Sequence, residues 1–162
     1  MPRRLLIFDL DETLVHASRE PLAEPPEFIV EPYSVYVRPH LKPLLAFAQE
    51  RFDLAVWSSA SKDYVDRVSQ KVFGDTPLRF VWSVDRCVQR PDPQTNSYVY
   101  IKDLRKVQGQ GYPLELVTLV DDSPEKVRRQ PRNHVRITPF KGDPRDTELL
   151  ALQSKLAAMP PL

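Results

Sequence analysis

One cysteine, four glycines and three histidines among 162 residues leave little room for several kinds of chemistry. Cys87 has no second cysteine with which to close an internal disulfide, which fits a reducing compartment, and no histidine stands near it in the chain to make it a nucleophile. His16, His40 and His134 lack ligand spacing, so they suit ordinary hydrogen bonding better than a zinc site. No apolar run approaches the length that spans a bilayer, and the run behind Arg3 and Arg4 breaks at Asp9, too early for a secretory signal. An excess of one charge is missing too: 23 Lys and Arg face 22 Asp and Glu, and a net +1 exerts no global pull on nucleic acid or an acidic membrane. These absences predict a soluble chain in the cytoplasm, or in the nucleus if the source is eukaryotic, with no membrane partner and a monomer as the default. Any electrostatic function must be local. No repeat or long linker divides the sequence, and its length suits one domain over residues 1–162.

What the sequence has in quantity is proline, 17 in all, used as punctuation. Four apolar runs stop abruptly at polar residues: "LLIF" at Asp9, "LAVW" at Ser58, "YVYI" at Lys102 and "LELVTLV" at Asp121. Between them lie helical patterns, "HLKPLLAFAQERF" and "SKDYVDRVSQKVFG", the second with Gly74 as its C-terminal cap. "DDSPEKV" and "GDPRDTELLALQSKL" each read as a helix opened by a capping residue and a proline, Ser123 with Pro124 and Asp143 with Pro144. Strands alternating with helices predict an α/β layer fold with a mostly parallel sheet covered on both faces. Two segments break the rhythm. "EFIVEPYSVYVRP" reads as a β-hairpin, and residues 75–101 read as a β-rich insertion whose turn runs from Arg90 to Ser97.

The strand endings carry the chemistry. In open α/β sheets ligands sit beyond the carboxyl ends of the strands, where these polar residues fall. Side chains two apart on an extended chain point the same way, so Asp9 and Asp11 can face one site. With Asp121 and Asp122 from another strand end, carboxylates crowd together and would repel unless a cation joined them. An all-oxygen site free of cysteine and histidine suits Mg²⁺. Lys102 offers a fixed positive charge and Ser58 a hydroxyl, with Ser59 and the backbone N–H groups of "SSAS" behind it, which together suggest a cradle for phosphate.

"IFDLDETLVH" resembles the first motif of haloacid dehalogenase superfamily phosphatases, in the FCP/SCP or NIF-like branch whose eukaryotic members dephosphorylate the RNA polymerase II C-terminal domain. The likeness continues in order through "VYVRPHLKPLL", "WSSASKDYVD", "YIKDLRKV", "LVDDSP" and "DTELLAL". It implies a Rossmann-like three-layer sandwich with a small β-hairpin insertion and no large cap. It also implies a phosphoaspartyl mechanism, with Asp9 as nucleophile, Asp11 as general acid and then base, and Ser58 and Lys102 as stabilisers of phosphate and intermediate. Metal ligation would fall on the Asp9 carboxylate, the Asp11 backbone carbonyl and the pair Asp121 and Asp122, with Asp122 favoured as the direct ligand. A phosphorylated protein or peptide is the substrate that the resemblance implies. The sequence departs from the eukaryotic pattern at Ser58, usually threonine, at Asp122, often asparagine, and at Arg19 and Ser61, often apolar.

Other readings stand beside this one. Arg86 and Arg90 on the insertion can contact substrate phosphate or serve as solvated strand charges. Lys126, Arg128, Arg129, Arg132 and Arg136 form a basic cluster that reads as a solvated face or as a nucleic-acid contact. The substrate could therefore be a nucleic-acid terminal phosphate or a small phosphometabolite. A phosphoacceptor signalling module or a non-catalytic phosphate-binding protein would use similar residues.

Overall fold

Every residue of "LLIF" is fully buried, which a strand achieves only when both of its faces are covered. The computed structural model describes residues 3–160 and 162, and it places this run in β1 (Arg4–Phe8) at the centre of a sheet. In chain order there follow β2 (Val15–Ser18), β3 (Phe28–Val30), β4 (Tyr33–Val37), α1 (Leu41–Arg51), β5 (Phe52–Trp57) and α2 (Lys62–Phe73). After these come β6 (Val81–Trp82), β7 (Val88–Asp92), β8 (Ser97–Ile101), β9 (Val117–Asp121), β10 (His134–Arg136) and α3 (Glu148–Ala157). The main sheet runs β10-β9-β1-β5-β6 with all neighbours parallel.

Alternation along β1 builds two cores. Leu6 and Phe8 face the cluster that α1, α2 and α3 cover with Leu44, Val65, Val68, Leu149 and Leu152. Leu5 and Ile7 face the opposite cluster with Trp57, Trp82, Leu104, Val107 and Val127. That second face is covered by short 3-10 turns at 104–110, 114–116 and 124–127, so the third layer is built of turns and not of α-helices.

Several sequence expectations shift in detail. "DDSPEKV" opens only the turn Pro124–Val127, and the Ser123 side chain caps nothing. "GDPRD" is a turn in which Asp143 accepts from the Arg145 N–H, while α3 starts later, after Thr147. "LELVTLV" spends its first three residues in a 3-10 turn before β9 begins. "YVYI" is a strand, but it pairs with β7 in the two-stranded insertion and not in the main sheet, whereas Val81 and Trp82 join the main sheet as β6. The first hairpin is present as β3 and β4, and β2, which the sequence reading missed, adds a third strand beside β4. Gly74 follows α2 as expected, with φ of +54° and its N–H on Gln70 O.

Candidate active site

Parallel pairing brings the polar residues to one edge. β9, β1 and β5 are neighbours, and the residues that follow or end them, Asp121, Asp9 and Ser58, lie side by side there. The Asp9 N–H still bonds Val120 O at 3.0 Å, and the Ser58 N–H bonds Trp82 O at 3.0 Å, so strand geometry fixes both backbones. Beyond Asp9 the chain wraps around the Leu10 carbonyl, which accepts from Thr13, Leu14 and Val15, with Glu12 in the left-handed region at φ 65°. Arg38 holds this loop from below. Its buried guanidinium donates to Thr13 O at 3.0 Å, to Thr138 O at 2.7 Å and to both carboxylate oxygens of Asp146.

Lys102 arrives from the end of β8, its N–H bonded to Lys126 O. Its fully buried ammonium donates to Asp9 Oδ1 at 3.0 Å and to Asp121 Oδ2 at 2.6 Å. Burial alone would strip its proton, but the Asp9 and Asp121 carboxylates outweigh burial and hold Lys102 above the usual lysine range. Asp121 spends its other oxygen on the Ser123 N–H at 2.9 Å, so both of its oxygens are occupied. Asp122 is freer: among the described residues its carboxylate meets the Thr13 hydroxyl, at 3.5 Å, and the neighbouring Asp9. Burial and the other carboxylates push both Asp121 and Asp122 upward.

Asp11 stands apart from this cluster. Its Oδ1 accepts from the Tyr64 hydroxyl at 2.5 Å, and burial pushes it up to about 6 although that hydrogen bond works in the opposite direction. A carboxyl with that proton affinity can donate and recover a proton near neutral pH. Beside it opens a cavity of about 290 Å³ walled by Glu12, Tyr33, Tyr64, Ala60 and Ser61. Arg19 lies over the Tyr33 ring, 5.6 Å from its centroid.

One carboxylate oxygen from each of Asp9, Asp121 and Asp122 lies within 4.8 Å of the others. Oxygens on opposite sides of an octahedral Mg²⁺ are about 4 Å apart, so an all-oxygen divalent site fits this spacing. The carboxylate surplus left after Lys102 supplies the charge that such an ion would balance.

Ser58 is buried, and its hydroxyl accepts from the Ala60 N–H at 3.1 Å, leaving its own proton to donate. Ser59 accepts from Lys126 Nζ at 2.8 Å. Arg86 stacks over Trp82 at 4.7 Å, and Arg90 is exposed on β7 with its guanidinium on Gln89 O, so neither is bonded to the aspartate cluster. Burial pushes the Cys87 thiol up, away from thiolate chemistry. Sequence reasoning missed three groups. Thr13 donates to Asp9 Oδ2 at 3.1 Å, Tyr64 donates to Asp11, and Lys126, read only within a basic cluster as a solvated face or a nucleic-acid contact, reaches Ser59.

Comparison with known proteins bears on the fold and the family. CTD nuclear envelope phosphatase 1B of Danio rerio is 29% identical over 97% of this chain and 67% of its own length. CTD small phosphatase-like protein 1 of Caenorhabditis elegans is 30% identical over 95% of this chain and 31% of its own. For the Homo sapiens CTD small phosphatase-like protein the figures are 31%, 93% and 54%. The chain thus spans about a third to two thirds of the length of these relatives. Among solved structures, the RNA polymerase II CTD phosphatase Fcp1 superposes with a TM-score of 0.65 at 20% identity, over 96% of this chain and 47% of that one. A fission yeast Fcp1 structure gives 0.61 at 19%, over 96% of this chain and 50% of that one, and both show the same fold. A family model matches residues 4–160. With the strand-end aspartates, the lysine and the serine in place along that whole span, the chain belongs to the NLI interacting factor-like phosphatase family.

Proposed function

We propose that the chain is a single-domain, Mg²⁺-dependent phosphomonoesterase that passes a phosphoryl group through Asp9, acting on phosphoserine or phosphothreonine in a protein. The observation that carries this reading is the division of labour between two carboxylates two residues apart. Asp9 is buried against Lys102, while Asp11 is held by Tyr64 with a raised proton affinity. Asp9 attacks phosphorus as the ester oxygen departs with the Asp11 proton. Water then attacks the phosphorus of the acyl phosphate, gives its proton to Asp11, and releases inorganic phosphate with Asp9 regenerated. Asp9, Asp122 and the Asp11 main-chain carbonyl would hold Mg²⁺, whose chemistry is to neutralise charge on the phosphoryl oxygens. Asp121 keeps Lys102 in place, and Ser58 donates to the phosphoryl group.

A cavity open beside Asp11 suits a residue in a flexible peptide better than a small metabolite. The basic cluster gives weak support to a nucleic-acid substrate, because Arg129 is spent on Asp103. Placement in the cytoplasm, or in the nucleus of a eukaryotic source, is part of the same proposal. The test is hydrolysis of an aryl phosphate and of phosphopeptides set against 3′-phosphorylated oligonucleotides. Asp9→Asn is expected to lose about four orders of magnitude in kcat/KM, and a chelator to abolish turnover until Mg²⁺ is restored. Activity retained by Asp9→Asn sinks the reading.

A further inference from the structure

Lys126 is the residue whose position the proposed chemistry leaves unexplained. It follows β9 in the turn Pro124–Val127, is half-buried, and points its ammonium to the Ser59 hydroxyl at 2.8 Å, across the edge of the sheet. Among the described residues no carboxylate lies within ion-pair distance of it, although its charge is felt at both Asp11 and Asp122. A partly desolvated cation without a counterion is costly, and the cost is recovered when an anion docks. The reacting phosphoryl group already has its cation, since Lys102 fills the place between Asp9 and Asp121. Lys126 reaches Ser59, one residue beyond the phosphate-holding Ser58.

The two flanks of the mouth also differ in sign. The cavity beside Asp11 is walled by Glu12, Tyr33 and Tyr64, with Ala60 and Ser61 on the loop that carries Ser59. That loop separates an aromatic and acidic flank from a cationic one, so an approaching peptide is oriented by where its charge lies.

We propose that Lys126 and Ser59 form a second anion subsite, which binds a negatively charged side chain adjacent to the phosphorylated residue of the substrate. This rests on the phosphatase reading of Asp9. Carboxylate and phosphate share the chemistry that an ammonium and a hydroxyl recognise, and peptides separate them.

The test uses phosphopeptides that differ only at the positions flanking the phosphoserine, carrying alanine, glutamate or a second phosphoserine. The wild-type protein prefers the anionic peptides. Lys126→Ala lowers the ratio of kcat/KM between anionic and neutral peptides about tenfold, and Ser59→Ala about threefold, as expected for a charge-assisted and a neutral hydrogen bond. Lys126→Glu reverses the preference. The same ratio is read as Kd with Asp9→Asn protein and Mg²⁺, so the subsite is tested even if no peptide is turned over. Failure of turnover counts against the phosphatase reading alone. A preference confined to the second phosphate assigns the subsite to phosphate, and an equal preference for glutamate assigns it to anions generally. Binding ratios that stay at the wild-type value in both Lys126→Ala and Lys126→Glu overturn the proposal.

Discussion

The two edges of the main sheet both gather charge, and they do opposite things with it. At the amino-terminal edge Asp53 is met by Arg3 at 3.1 Å, Arg79 at 3.2 Å and the Tyr112 hydroxyl at 2.5 Å, so a single carboxylate has more donors than it needs. Arg3 further donates to the carbonyls of Gln49 and Phe52, closing the end of α1. At the carboxyl edge Asp9 and Asp121 share the ammonium of Lys102, Asp122 crowds beside them without an ion pair of its own among the described residues, and Asp11 is left to a tyrosine. The cleft at the satisfied edge is the larger, about 740 Å³ against about 290 Å³ beside Asp11. Unbalanced charge, and not cavity size, marks the edge proposed to be reactive.

The most severe way to break this contrast is to remove the cation on which the crowded edge depends. Lys102→Met leaves Asp9 and Asp121 buried without their partner, and urea unfolding of metal-free protein should show a loss of about 3–5 kcal/mol. The gap to the wild type should narrow as acid protonates Asp121, which burial already pushes upward. A variant as stable as the wild type near neutral pH would show that the edge is not electrostatically stressed.

A smaller effect sharpens the contrast within the reactive edge. Asp11 must be protonated to act as an acid, so phosphorylation by a substrate with a poor leaving group should slow as pH rises through about 6. The Tyr64 hydrogen bond favours the charged form of Asp11, so Tyr64→Phe should move that limb upward by about one pH unit. Rapid-quench measurement of the first turnover across pH checks it, and an unmoved limb removes Tyr64 from the account. The smallest effect belongs to the satisfied edge. Arg79 is largely exposed and Asp53 keeps its other donors, so Arg79→Ala should cost at most about 1 kcal/mol and leave kcat/KM unchanged. A larger loss in thermal unfolding would mean that the two edges are less different than their geometry implies.

Much of this was readable in the chain. Apolar runs that end on aspartate or serine report both burial and strand direction, which is why Asp9, Ser58 and Asp121 could be set at one edge before any coordinates. Lys102 was placed by its strand ending although β8 lies outside the main sheet, because the residue after a strand matters more than the sheet it leaves. Prolines misled the reading of helices. Pro124 suits the first position of an α-helix or a 3-10 turn equally, and Pro131 soon afterwards leaves no room for the longer element. The start of α3 was hidden for another reason. The Glu148 N–H is met by Asp146, whose carboxylate is fixed by Arg38 more than a hundred residues earlier, a contact with no local trace. Tyr64 likewise fits the apolar stripe of α2, and only the fold shows that its hydroxyl reaches Asp11.

The hold on the first-motif loop has a consequence for how the molecule comes into being. The Glu12 carbonyl accepts from the Phe140 N–H at 2.7 Å, and Arg38 needs Thr138 and Asp146 to complete its bonds. A ribosome makes Asp9 and Asp11 more than a hundred residues before Thr138, Phe140 and Asp146, so a nascent chain carries these carboxylates before the loop that holds them is braced. The first-motif loop therefore reaches its final form only after residue 146 has been made, and a chain cut before residue 138 would display the motif without its brace.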